Sequence, residues 1–195
     1  MRQYRRRLPH LDIQHVPVFL TWRLRGSLPP GRHFSNEVLS SGELFRMWDR
    51  LLDGATAGPQ YLALAENAQI VEDLLHLHAG HGYELHAWCV MPNHVHVLLT
   101  PHTPLVGILR RLKGASARAI NLRLGRAGSL WQEETFDRQV RDAAGFDRIL
   151  RYIEHNPVAA GLAANPADYR WSSACRGAAH LARESVSTGS CRGTD

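Results

Sequence analysis

The chain has 195 residues, enough for one domain of ordinary size with a core of its own. With 44% hydrophobic and 21% charged residues it is neither a disordered nor a fibrous polymer. A net charge of +5 suits a polyanionic partner, and no apolar run approaches the length a membrane span needs.

Three cysteines (Cys89, Cys175, Cys191) without CxxC spacing argue against a disulfide framework or a zinc–thiolate site and fit a reducing cytoplasm. The basic start, Met1 to His10, lacks the apolar run of a signal peptide. The expected location is cytoplasmic, beside the nucleoid of a prokaryotic cell.

In chain order, Val16–Leu24 (VPVFLTWRL) reads as a strand, followed by the breaker 26–31 (GSLPPG). Helical patterns cover Asn36 to Leu52 and Ala65 to Ala79, separated by the loop 53–59. Tyr83–Met91 and His94–Thr100 read as two strands of a hairpin about the tight turn Pro92-Asn93. Pro104 begins a long helix to about Leu124, ended by the glycines at 125 and 128. Phe136–Val140 is a short fourth strand. A helix from Gly145 to Asn156 is expected to stop at Pro157, because the residue before proline disfavours the α region. The fold class expected is α+β: a ferredoxin-like, split βαβ antiparallel sheet with helices packed on one face. One domain over residues 1–175 and a flexible tail over 176–195, rich in Ser, Gly, Ala and Arg, complete the organisation.

His94-Val95-His96 is the first chemical signal. Among twelve histidines about one His-x-His arises by chance, and His76-Leu77-His78 is a second. Geometry separates them. Residues i and i+2 of a strand share a face, so His94 and His96 can converge on one ion. On a helix they stand roughly 200° apart, and His76 and His78 diverge. Tyr152 and Asn156, four apart on a predicted helix, also share a face. A phenol oxygen is a competent nucleophile once deprotonated, and an asparagine carbonyl is a hard ligand that suits Mg²⁺ or Mn²⁺ beside imidazole. Singly, each residue has a plain structural use, as sheet polar residue, core aromatic or helix terminus. Together they describe one site.

Two strings carry a family likeness. Trp88–Leu98 (WCVMPNHVHVL) resembles the metal-binding segment of the REP-associated tyrosine transposases, a branch of the HUH single-tyrosine transposases, and Arg151–Leu162 (RYIEHNPVAAGL) resembles their nucleophile helix. Phe19–Leu24, Leu112–Arg118 and Leu130–Asp137 are lesser matches in the same order, and the likeness spans residues 8 to 175. It implies the HUH endonuclease fold, His94 and His96 as ligands of Mg²⁺ or Mn²⁺, Asn156 at the third ligand position and Tyr152 as nucleophile. That third position is often glutamine or a carboxylate in the wider class, and Leu130 stands where an aromatic is usual. The implied reaction cleaves single-stranded, hairpin-forming repeat DNA through a 5′-phosphotyrosine and rejoins it without a nucleotide cofactor. No Walker loop or GxGxxG is present in the sequence.

Arg2, Arg5, Arg6 and Arg7 near the start, and Arg110, Arg111, Lys113, Arg118 and Arg123 on the long helix, are the candidate phosphate contacts. The alternative function is a domesticated DNA-binding module of the same fold with little catalysis, and retention of all four site residues argues against it. An RNA-binding sheet would call for aromatics on the central strands, where histidines stand instead. Monomer and homodimer are both open.

Overall fold

The computed structural model describes residues 14–28, 47, 49–54 and 58–175. Four strands, β1 (Val18–Arg23), β2 (Tyr83–Val90), β3 (His94–Pro101) and β4 (Phe136–Gln139), form one antiparallel sheet in the order β2-β3-β1-β4. Three α-helices lie wholly within the described residues: α1 (Ala65–His78), α2 (Leu105–Arg123) and α3 (Ala143–Ala159). The sheet order is that of a split βαβ fold, as the pattern of elements implies.

Alternation along the central strands decides the layers. On one face Val18, Leu20 and Trp22 of β1 and Val95, Val97 and Leu99 of β3 pack with α1 and α2 through Val71, Leu75, Ile108 and Leu112. On the other, Phe19, Ala87, Cys89 and Leu98 pack with Ile153 of α3. Helices therefore cover both faces rather than one. The two crossover helices share a face, while Phe19, Leu98 and Cys89 present a second apolar surface that α3 covers. Each such buried aliphatic or aromatic side chain contributes about 1.5–3 kcal/mol.

The β2–β3 hairpin is closed at Pro92-Asn93, where the Met91 amide donates to the His94 carbonyl at 2.9 Å. Residues 171–173 lie along the edge of β2: the Val90 amide donates to Trp171 at 2.8 Å and Cys89 bridges to Ser172. That contact covers part of an otherwise open strand edge.

Helix α3 begins at Asp142, whose carboxylate accepts from the Gly145 amide at 2.6 Å. It does not stop at Pro157 but runs through it to Ala159. Proline removes one donor from the ladder; the turn beyond it is closed by Ala160 donating to Asn156 and Leu162 to Pro157, with Gly161 at φ +71° ending the helix. Of the helix expected over 36–52, residues 47 and 49–52 are described and are helical, within a helical run that continues to 53. The rest of it, residues 55–57 of the expected loop, the arginines near the start and the 176–195 tail lie outside the described residues.

Candidate metal centre and nucleophile

Strand β3 places His94 and His96 on the α3 side of the sheet, both fully buried. Their Nε2 atoms are 2.9 Å apart. Each ring is held from behind through Nδ1: His96 by the Thr21 hydroxyl at 2.7 Å, His94 by Asn93 Oδ1 at 2.7 Å. Asn93 also donates its amide nitrogen to the Leu52 carbonyl at 2.9 Å. Its Oδ1 is thereby turned to His94 and can only accept, so His94 carries its proton on Nδ1. Burial, with the neighbouring His96, pushes the pKa of His94 down to about 3, and the ring is neutral. Its Nε2 therefore presents a lone pair to the interior of the site. Fixing the tautomer through the far nitrogen is how proteins orient histidine for metal binding.

A carboxylate faces the two Nε2 atoms. Asp49, from the helical residues 49–53, has Oδ1 3.1 Å from His96 Nε2 and 3.5 Å from His94 Nε2. Burial alone would raise its pKa, but the imidazoles of His96 and His94 and the amide of Asn156 outweigh that and hold it below the ordinary carboxylate range. Asp53, one turn on, has Oδ1 3.9 Å from His94 Nε2. Its pKa is pushed up to about 7 by burial and by the Asp49 charge, partly offset by His96. Beneath the pair, burial and then the charges of Asp53 and Asp49 push the Cys89 thiol well above its ordinary value, so it stays protonated.

From α3, Asn156 donates Nδ2 to Asp49 Oδ2 at 3.0 Å. Tyr152, one turn earlier and half-buried, sets its ring 5.9 Å from that of His96 and 6.0 Å from Phe19, edge-on to both. The fold thus brings together His94, His96, Asn156 and Tyr152, the four residues singled out by the sequence, and adds Asp49, Asp53, Asn93 and Thr21. Asp49 and Asp53 had one signal, two acids at i and i+4 in a helical pattern, which is also how a solvated helix face reads. Asn93 stands next to His94 but reads as a turn residue.

The donor set fits a divalent cation. Ligand atoms of Asp49, His94 and His96 all lie within 4.8 Å of one another, and ligands of one small divalent ion are separated by about 3–4 Å. The oxygens Asp49 Oδ1, Asp53 Oδ1 and Asn156 Oδ1 are buried and accept no hydrogen bond. Acceptors gathered without donors in a dry site are what a cation would satisfy.

The family model of the IS200-like transposases matches residues 65–156, the stretch from the start of α1 to Asn156. Over that stretch the chain is similar to the IS200-like transposases. The matched segment holds His94, His96, Tyr152 and Asn156, while Asp49 lies before it. The fold is shared with the REP-associated tyrosine transposase solved bound to a REP hairpin: 20% identity, TM-score 0.59, over 92% of this chain and 86% of that one. A Deinococcus radiodurans R1 protein assigned as a transposase aligns over 80% of this chain and 98% of its own, at 22% identity and TM-score 0.40. No curated protein matches the chain.

The candidate phosphate contacts divide. Lys113 donates to the carbonyls of Gln132 and Glu133 and to the Thr135 hydroxyl, at 2.8, 3.0 and 3.0 Å. Arg123 pairs with Glu66 at 2.8 Å. Arg110, Arg111 and Arg118 are exposed. Among the described residues no helix is long and apolar enough to cross a membrane.

Proposed function

We propose that the chain, through a catalytic unit over residues 1–175, cleaves and rejoins single-stranded DNA with Tyr152 as nucleophile and a divalent cation held by His94, His96 and Asp49, with Asn156 Oδ1 as a further ligand. The observation that carries the reading is the placement of Tyr152 beside His96, one helical turn from Asn156, at the rim of a buried cluster of unsatisfied acceptors.

The Tyr152 oxygen attacks the phosphorus, the bond to the 3′ oxygen breaks, and the products are a 5′-phosphotyrosine and a free 3′-hydroxyl. The phenol proton leaves to solvent or to a nearby carboxylate, and the departing oxygen takes up a proton. Reversal by the same or another 3′-hydroxyl rejoins strands, since the phosphotyrosine keeps the ester bond energy. A bound Mg²⁺ or Mn²⁺ would supply Lewis-acid stabilisation of the charge developing on the phosphate oxygens. Asn93 keeps the His94 lone pair aimed inward, Thr21 holds the His96 ring from behind, and Asn156 steadies the Asp49 carboxylate. A folded single strand is the substrate favoured, because the relative of the same fold was solved on a REP hairpin.

The test is to incubate the protein with end-labelled single-stranded hairpin DNA and Mn²⁺, isolate any protein–DNA adduct, and map it by mass spectrometry. A 5′-phosphotyrosine at Tyr152 is expected, absent in EDTA. An adduct at another residue, or equal cleavage in chelator, overturns the reading.

A further inference from the structure

A second polar depression lies away from the candidate centre. Where α1 ends, β2 begins and α2 begins, two adjoining hollows share His78, Thr103 and Arg111. The larger, about 760 Å³, is an open cleft that also takes in Arg110. The smaller reaches His81 and Gly82. Position 82 borders both groups: a Cβ there would stand 3.8 Å from Thr103 Oγ1 and 3.9 Å from an Arg111 guanidinium nitrogen, so the guanidinium lies at the Gly82 wall of the smaller hollow. Among the described residues no aspartate or glutamate lines either hollow. Among the described residues neither Arg110 nor Arg111 has a carboxylate within ion-pair distance, in contrast to Arg123 with Glu66 and Arg170 with Glu72.

Two exposed guanidinia without counter-charges, imidazole donors and a hydroxyl, in a concave site free of acids, form an environment for phosphate oxygens rather than for an apolar or cationic ligand. The site is distinct from the candidate centre. It belongs to the α1–α2 side of the sheet and to the Pro101 end of β3, whereas His94 stands at the other end, seven residues along the strand, roughly 23 Å.

We propose that this cleft, through Arg110 and Arg111 with His78 and Thr103, binds the sugar–phosphate backbone of the DNA substrate several nucleotides from the bond being cut. The inference rests on the DNA-processing reading above and adds where the strand is held. It also accounts for Arg110 and Arg111 having no ion pair among the described residues while Lys113, on the same helix, is engaged within the fold.

The test uses the full chain with Arg110→Ala and Arg111→Ala combined, on one hairpin with a single-stranded extension, by salt titration of binding and single-turnover adduct formation. Both side chains are exposed, and an unchanged melting temperature is expected. Affinity should fall about 10- to 100-fold near 0.1 M salt, and the slope of log K against log salt should flatten by about 0.7–0.9 per contact removed. The adduct rate at saturating DNA should stay within about twofold of wild type. If wild type forms the Tyr152 adduct and the double variant keeps its affinity and slope, the cleft is not a DNA site although the catalytic reading stands. If wild type neither binds DNA nor forms an adduct, both readings fail. If the variant binds normally but loses its adduct rate, the arginines act on the chemistry and the proposal is overturned.

Discussion

Asn156 reaches from α3 to donate its amide to the carboxylate of Asp49, 3.0 Å away across 107 residues of sequence. The bond ties the helix that carries Tyr152 to the helical residues 49–53 that face the two histidines. Removing it leaves a buried carboxylate oxygen without its donor, at a cost of about 1–3 kcal/mol. Asn156→Ala should therefore lower stability by that amount in EDTA and weaken Mn²⁺ affinity. Asn156→Asp places two carboxylates side by side, so the metal-free protein should be less stable still and should regain stability as Mn²⁺ is added. Thermal melts with and without Mn²⁺ check both. A wild-type melting curve and Mn²⁺ affinity for Asn156→Ala would remove Asn156 from the site.

Tyr152→Phe deletes one oxygen from a half-buried ring that packs edge-on against Phe19 and His96. Packing survives, so the melting temperature should shift by no more than about 2 °C and hairpin affinity should hold. Adduct formation should fall below detection, because among the described residues no other phenol is placed at this rim. Tyr169, for example, donates its hydroxyl to the Val90 carbonyl and is held protonated by burial. Cleavage by the Phe variant at a rate near wild type would rule Tyr152 out as nucleophile.

The two histidines were legible in sequence because strand alternation is a strict rule: once 94–101 reads as a strand, His94 and His96 must share a face. Tyr152 and Asn156 were legible for the same reason at helical spacing. Asp49 was not. Its role depends on burial, which comes from the Asn93 amide seizing the Leu52 carbonyl, a tertiary contact with no local pattern. The course of α3 through Pro157 escaped a local rule as well, since proline forfeits one hydrogen bond while the packing of Ile153 and the closing turn at Gly161 retain the helix. Sheet order followed from the sequence of elements, whereas the second apolar face became visible only when Phe19, Cys89 and Leu98 were seen to align under α3.

Lys113, a candidate phosphate contact in the sequence, is engaged within the fold. Its ammonium bonds three oxygens of residues 132–135, and three residues on, Ser116 accepts from the Trp131 indole at 3.0 Å. The two matching strings 112–118 and 130–137 are thus joined to each other and position the approach to β4. Lys113→Met should cost about 1–2 kcal/mol of stability while leaving the salt dependence of DNA binding unchanged. Urea melts and a salt titration check this. A slope flattened by about 0.7, with stability intact, would instead make Lys113 a phosphate contact.

The last prediction concerns Asp53, whose pKa is pushed up to about 7 by burial and then by the charge on Asp49, partly offset by His96. In the unfolded chain it returns to an ordinary value near 4. Between those two values the native state binds the extra proton and the unfolded state does not, so metal-free stability must fall as pH rises from about 4 to about 7. Asn at position 53 keeps the shape and removes the ionisation. Asp53→Asn should match wild type near pH 4 and exceed it by about 1–2 kcal/mol at pH 8 in EDTA, less than the full shift would imply because the side chain is 14% exposed. Adding Mn²⁺ should shrink the difference, since a bound cation stabilises the ionised carboxylates of the wild type. Urea unfolding at pH 4.5, 6 and 8, with and without Mn²⁺, decides it. If the two proteins show parallel stability profiles across that range in EDTA, Asp53 is ionised throughout and does not share the buried charge environment of Asp49.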